Sequence, residues 1–274
     1  MKRPDVRKNL RRGVYVIPTS FTVLNLFFGF RSIVNSTRGI EAMADGRSDL
    51  AIHFFEVACL SLFFAAIFDT FDGLVARQLS ATSEFGKEYD SLADVVTFGC
   101  APAVLVYAWG LQLLGNLGGA IAFLFLVSVS LRLARFNVMT GKTDYRYFVG
   151  LPSPAGALTL ASIIYYAPAP IQHDQRFAVI MLIVTAGVAF AMVSPIRWRS
   201  QKGVGLMKER SLMYIVGLAL ILGIFSKWPR EFLFIGAIGY LGSGPLLRLW
   251  SIAFPSRTAP PPDADELLEA TQVP

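Results

Sequence analysis

Eight apolar stretches follow one another along this chain, near residues 17–35, 50–70, 92–114, 118–139, 153–169, 176–195, 211–227 and 230–250. A helix needs about 20 such residues to cross a bilayer, so each run is long enough or nearly so, the fifth being the shortest. Only 16% of the 274 residues are charged and 54% are hydrophobic, whereas a soluble domain carries about a quarter charged residues. The expected fold is therefore all-α: a polytopic membrane helix bundle of about eight transmembrane helices. The first apolar run follows a basic head with no small-residue cleavage site, which predicts a retained span rather than a removable signal peptide.

Positive charge predicts the orientation, because cytoplasmic loops collect Lys and Arg. Placing the N-terminus inside puts 19 of the 25 basic residues in inner segments. Five fall outside (Arg38, Arg47, Arg176, Lys227 and Arg230), and Arg31 lies within the first span. Both termini are thus expected in the cytoplasm, in a multi-pass protein of the inner cell membrane. The net charge of +6 fits contact with anionic headgroups; the basic residues are spread over several loops, which argues against a nucleic-acid surface. Residues 1–14 read as a basic cytoplasmic segment, either a weak amphipathic helix on the leaflet or a disordered head. Residues 15–255 read as the membrane domain, and 256–274, Pro-rich then acidic, as a disordered tail. Residues 36–49 are expected to form an outer loop. Cys59 and Cys100 read as buried thiols, and His53 and His173 as interfacial side chains far from the acidic residues.

Those acidic residues stand at the inner end of two spans: Asp69-x-x-Asp72-Gly73-x-x-Ala76-Arg77, eight residues, then Gly86-x-x-x-Asp90-x-x-x-Asp94. Carboxylates at a membrane boundary are costly to desolvate and ask for compensating charge. On helices, Asp69 and Asp72 share one face, as do Asp90 and Asp94. Two acidic faces turned toward each other suit hard divalent cations such as Mg²⁺, Mn²⁺ or Ca²⁺. Gly73 and Gly86 leave room for a bulky ligand against the backbone, and Arg77 offers a planar fork for phosphate. The pattern reads as a metal-and-phosphate site at the cytoplasmic end of a membrane protein.

In every defining position, the eight-residue spacer included, this pattern resembles the signature of the CDP-alcohol phosphatidyltransferases. The resemblance implies a transfer of a phosphatidyl group from CDP-diacylglycerol to an alcohol, with release of CMP. It implies two divalent ions, Mg²⁺ or Mn²⁺, held by Asp69, Asp72 and Asp90, and Asp94 as general base. It implies that Gly73, Ala76, Arg77 and Gly86 contact CDP, and that the protein is a homodimer.

Further stretches are similar to the serine-using bacterial and archaeal branch of that family: residues 17–26, 83–94, Leu131-Arg132-Leu133-Ala134-Arg135-Phe136-Asn137, and 147–155. Thr19 stands where such relatives often have Asn. The resemblance covers roughly residues 15 to 200 and implies L-serine as acceptor. Serine's carboxylate needs a cation and its ammonium an acceptor. Arg132 and Arg135, three apart near a helix end, with Asn137 close by, supply the first; Glu84 is the candidate for the second. Residues 147–152 read either as a segment closing over that site or as ordinary Gly and Pro punctuation of a span. Two other readings stay open. One is the same chemistry on glycerol phosphate, inositol phosphate or choline. The other is a divalent-cation transporter, although transport sites sit near the bilayer midplane on broken helices and these aspartates fall at helix ends.

Overall fold

In a computed structural model of the chain, the described residues are 6–78, 84–139, 147–171, 175–195, 197–199 and 226–253, with side chains placed over 19–75, 84–138, 150–171, 175–195 and 226–246. The elements run α1 (Val6–Ala44), α2 (Ser48–Gln78), α3 (Glu84–Asp94), a π-helical turn (Val95–Cys100), α4 (Ala101–Trp109), a 3₁₀ turn (Leu111–Leu114) and α5 (Asn116–Met139). Then follow β1 (Tyr147–Val149), α6 (Ser153–Tyr166), α7 (Gln175–Val193), β2 (Arg197–Arg199) and α8 (Pro229–Ala253).

The protein is a membrane helix bundle. Four described stretches are long and apolar enough to cross a bilayer: Ser48–Val75, Glu84–Trp109, Asn116–Val138 and Gln175–Val193. The second is one continuous span made of α3, the π turn and α4, and it is the most enclosed of the four. Large apolar side chains such as Phe27, Phe30, Phe123, Ile183 and Phe190 point outward. In water such a surface would be a liability; in lipid it is the ordinary outer face. Residues 211–225 of the span expected near 211–227 lie outside the described residues. Among the described residues the departure from an all-α architecture is a small antiparallel ribbon in which Tyr147–Val149 pairs with Arg197–Arg199, joining segments on either side of α6 and α7.

The α1–α2 pair is the most extensive contact in the bundle, and its two buried faces differ in kind. On α2 the inward stripe is Ala51, Phe55, Ala58, Leu62 and Ala65, which continues at helical spacing to Asp69 and Asp72. On α1 it is polar and small: Thr22, Asn25, Gly29, Ser32 and Ser36, three and four residues apart, with the four side chains buried. Small and hydroxyl-bearing residues let membrane helices approach closely where there is no hydrophobic force between them. Gly29 shows the consequence, since a Cβ there would come within 2.5 Å of Thr97 Oγ1 and 2.8 Å of Thr97 Cα in the π turn.

The outer loop expected at 36–49 is mostly helix. α1 continues to Ala44 and only residues 45–47 turn before α2 begins. Polar residues at this boundary bond back onto their own helix: Asn35 Nδ2 donates to the Arg31 carbonyl at 2.7 Å, Ser36 Oγ to Ser32 at 2.8 Å and Thr37 Oγ1 to Val34 at 2.9 Å. With their side-chain hydrogen bonds met, these residues no longer favour a turn. At the same end of the bundle α8 is tied to α2 by the Arg230–Glu56 ion pair, with Arg230 also 5.4 Å from the Tyr165 ring centroid. Glu56 precedes Asp69 by 13 residues, about 20 Å of helix, so this clamp lies well away from the acidic residues.

Candidate active site

The carboxylates converge because two helix ends meet the polar stripe of α1. Asp69 and Asp72 lie within the last three turns of α2, and Asp90 and Asp94 sit on α3. Oxygens of Asp69, Asp90 and Asp94 lie within 4.8 Å of one another. Asp72 is buried and takes a different partner, accepting a hydrogen bond from the Thr22 hydroxyl of α1. Asn25, one helical turn further on α1 and fully buried, donates from Nδ2 to Asp94 Oδ1 at 3.2 Å. Of the four carboxylates, three form a group and the fourth is drawn toward α1.

The donor set fits a divalent cation. Three carboxylate oxygens at this separation are hard ligands, and unneutralised anions so close in a membrane protein repel one another strongly. Asp90 Oδ1 is also sealed from solvent and has no hydrogen-bond partner, as an oxygen reserved for a cation would be. The group that could hold such an ion is Asp69, Asp90 and Asp94, with Asp72 outside it.

The other expected residues are distributed around this point. At Gly73 a Cβ would meet nothing within 4 Å, so the backbone there borders open space. Gly86 lies on the first turn of α3, and the side chains of Ala76 and Arg77 are outside the described residues. Arg132 on α5 is half-buried, with Asp94 of α3 and Tyr240 of α8 among its ionisable neighbours. Its Nη1 donates to Ser153 Oγ at 2.6 Å, while its Nε is buried without a partner. Asn137 Nδ2 donates to Ser91 Oγ at 3.0 Å, joining α5 to α3 one residue from Asp90. Arg135 makes no hydrogen bond or ion pair among the described residues. Glu84 is exposed at the start of α3, ten residues and about 15 Å of helix from Asp94.

Sequence reasoning assigned no role to Thr22, Asn25, Ser91 or Ser153, the side chains that hold the aspartates, Asn137 and Arg132. The signal for the first two was present: a Thr and an Asn three apart in an apolar span share a face, and a polar pair inside a membrane helix needs a partner. Ser153 is placed by backbone constraint. Gly150 has φ +81°, and a Cβ on it would come within 2.2 Å of the Met192 carbonyl. Only glycine fits such a turn easily. The Leu151 amide then bonds the Ala191 carbonyl at 3.0 Å, which sets the start of α6 against the end of α7 and leaves Ser153 fully buried at Arg132.

Clustered carboxylates with open backbone beside them suit hard divalent cations. Residues 15–193 match the family model for CDP-alcohol phosphatidyltransferase. The chain is 31% identical over 237 residues to a CDP-diacylglycerol–serine O-phosphatidyltransferase of Helicobacter pylori (strain ATCC 700392 / 26695), covering 83% of this chain and 92% of that protein. It is 35% identical over 150 residues to the Bacillus subtilis (strain 168) protein of the same name, 54% of this chain and 78% of the relative. With the protein of that name from Methanocaldococcus jannaschii it shares 46% identity over 99 residues, 36% of this chain and 46% of the relative. The chain belongs to the CDP-alcohol phosphatidyltransferase family, whose members use divalent metals.

Proposed function

We propose that this protein transfers the phosphatidyl group of CDP-diacylglycerol to L-serine, producing phosphatidylserine and CMP. The observation that carries the reading is the convergence of the Asp69–Asp90–Asp94 group with Arg132. A phosphate-binding acidic site and a guanidinium with an unmet Nε suit an acceptor that bears both a hydroxyl and a carboxylate. The names of the relatives point to the same acceptor.

In this reading the serine hydroxyl oxygen forms a bond to the phosphorus next to diacylglycerol as the phosphoanhydride bond to CMP breaks. Asp94 takes the hydroxyl proton, and CMP leaves with the bond's electron pair. Asp69, Asp72 and Asp90 would hold two divalent ions, Mg²⁺ or Mn²⁺. When bound, such ions neutralise the pyrophosphate and stabilise an in-line displacement. Gly73, Ala76, Arg77 and Gly86 receive the CDP moiety, the glycines by leaving its path open and Arg77 by pairing with phosphate. Arg132, with Arg135 and Asn137 near it, orients the serine carboxylate, and Glu84 is the candidate partner of its ammonium. About eight spans, both termini and the site on the cytoplasmic face of the inner membrane, a disordered 256–274 tail and a homodimeric assembly complete the proposal. The bias of Lys and Arg toward one side supports the orientation.

An acceptor panel on purified protein tests it. With CDP-diacylglycerol and Mg²⁺ or Mn²⁺, serine should yield a new lipid, while glycerol phosphate, inositol phosphate and choline should not. Lipid product from one of those and none from serine would overturn the acceptor and leave the transferase reading standing. The absence of CMP release with every acceptor would overturn the transferase reading.

A further inference from the structure

The amide of Asn25 is fully buried in the middle of α1, yet only half of it is used. Its Nδ2 donates to Asp94 Oδ1 at 3.2 Å, while its own Oδ1 is sealed from solvent without a partner. A buried polar atom left unmatched costs about 1–3 kcal/mol, so Asn25 is poorly explained as a stabilising residue. Its backbone is also pinned: Thr97 Oγ1 donates to the Asn25 carbonyl at 3.3 Å, and Gly29 brings α1 onto Thr97. Thr97 belongs to the π turn that begins at the residue after Asp94. Such single-turn π segments inside helices recur at functional sites. Here the turn fixes the end of α3 against α1, with the amide and the carboxylate facing each other across the contact.

We propose that Asn25 is a positioning residue for the transfer reaction: by occupying Asp94 Oδ1 it fixes the carboxylate's rotation and leaves the second oxygen to take the acceptor's proton. This rests on the reading of Asp94 as general base. A carboxylate free to turn about its terminal bond presents that oxygen only part of the time, and small misplacements at a reacting centre can cost about 10²-fold in rate.

The test compares Asn25→Leu, Asn25→Ser and Asp94→Asn in purified full-length protein, by steady-state kinetics, thermal unfolding and Mn²⁺ binding followed by electron paramagnetic resonance. Asn25→Leu removes the donor at similar volume and also removes the orphaned Oδ1. It should unfold at the wild-type temperature or higher. Its kcat should fall about 10- to 100-fold, with CDP-diacylglycerol KM and Mn²⁺ affinity within about threefold of wild type. Asn25→Ser keeps a short donor and should recover part of the lost kcat. If the leucine variant fails to fold, the serine variant decides alone, through a drop in kcat without a matching change in KM or Mn²⁺ affinity. Wild-type kcat in a folded Asn25 variant, alongside an inactive Asp94→Asn, overturns the positioning role and leaves Asp94 as base. Turnover that persists in Asp94→Asn overturns both. A loss of Mn²⁺ affinity that parallels the loss of kcat also overturns the positioning role, because Asn25 would then be supporting the metal ligands.

Discussion

Replacing Arg132 with Lys keeps a cation at the acceptor site and removes the planar fork, which makes it the sharpest probe of how serine is held. The wild-type guanidinium is anchored at one end by the 2.6 Å bond from Nη1 to Ser153 Oγ, and its Nε is buried and unmatched. Anchored in this way, its remaining donors can present a bidentate edge to a carboxylate. A lysine ammonium is a point charge on a flexible stem, unable to bond Ser153 and bridge both carboxylate oxygens in the same geometry. One charge-assisted hydrogen bond is worth about 1.5–3 kcal/mol, and each 1.4 kcal/mol is tenfold in binding. Serine KM should therefore rise about 10- to 100-fold, with the KM for CDP-diacylglycerol within about twofold. Ser153→Ala should show a weaker version of the same change, since it frees the guanidinium without removing it. Initial rates in mixed micelles, with each substrate varied in turn, separate the two constants. An unchanged serine KM in both Arg132→Lys and Arg135→Lys would refute the carboxylate site.

Asp69→Asn and Asp90→Asn should nearly abolish turnover and shift the Mg²⁺ or Mn²⁺ titration to higher concentration, as each removes a charged oxygen from the 4.8 Å group; Asp72→Asn is expected to do the same, and a wild-type titration in any one of the three would remove it from the ligand set. Asp94→Asn should lower kcat on the order of 10²–10⁴-fold while CDP-diacylglycerol binding persists, measured by equilibrium binding; an equal loss of both would make Asp94 a ligand instead. Gly29→Val should destabilise the protein by about 1–3 kcal/mol through overpacking, because its Cβ would meet the Thr97 backbone; an unchanged unfolding temperature would contradict that close approach.

Much of this was legible in the sequence because membrane helices and the acidic pattern leave strong local signals. The apolar runs marked α5, α7 and α8 to within three residues, the run at 50–70 stopped eight residues short of the end of α2, and α6, read as the shortest span, is 14 residues long. Boundaries failed where polar side chains bond their own helix: Ser36 and Thr37 fall in the expected outer loop, yet α1 continues through them to Ala44. The pairing of 147–149 with 197–199 joins segments 50 residues apart, and no local pattern announces it. At the site, spacing placed Asp69 with Asp72 and Asp90 with Asp94. It could not show that Asp72 turns to Thr22 while Asp94 joins Asp69 and Asp90. That sorting depends on how α1 packs across both acidic helices, and so do the contributions of Asn25 and, through the Gly150 turn, Ser153.

The most direct test of the central claim follows both products at once. Purified protein is incubated with CDP-diacylglycerol, Mn²⁺ and isotopically labelled L-serine, and CMP and labelled lipid are quantified over time for the wild type and for Asp94→Asn. The account predicts phosphatidylserine and CMP in equal amounts, both dependent on added metal and both lost in Asp94→Asn. CMP release without incorporation of serine, or labelled lipid formed equally well by Asp94→Asn, would contradict it.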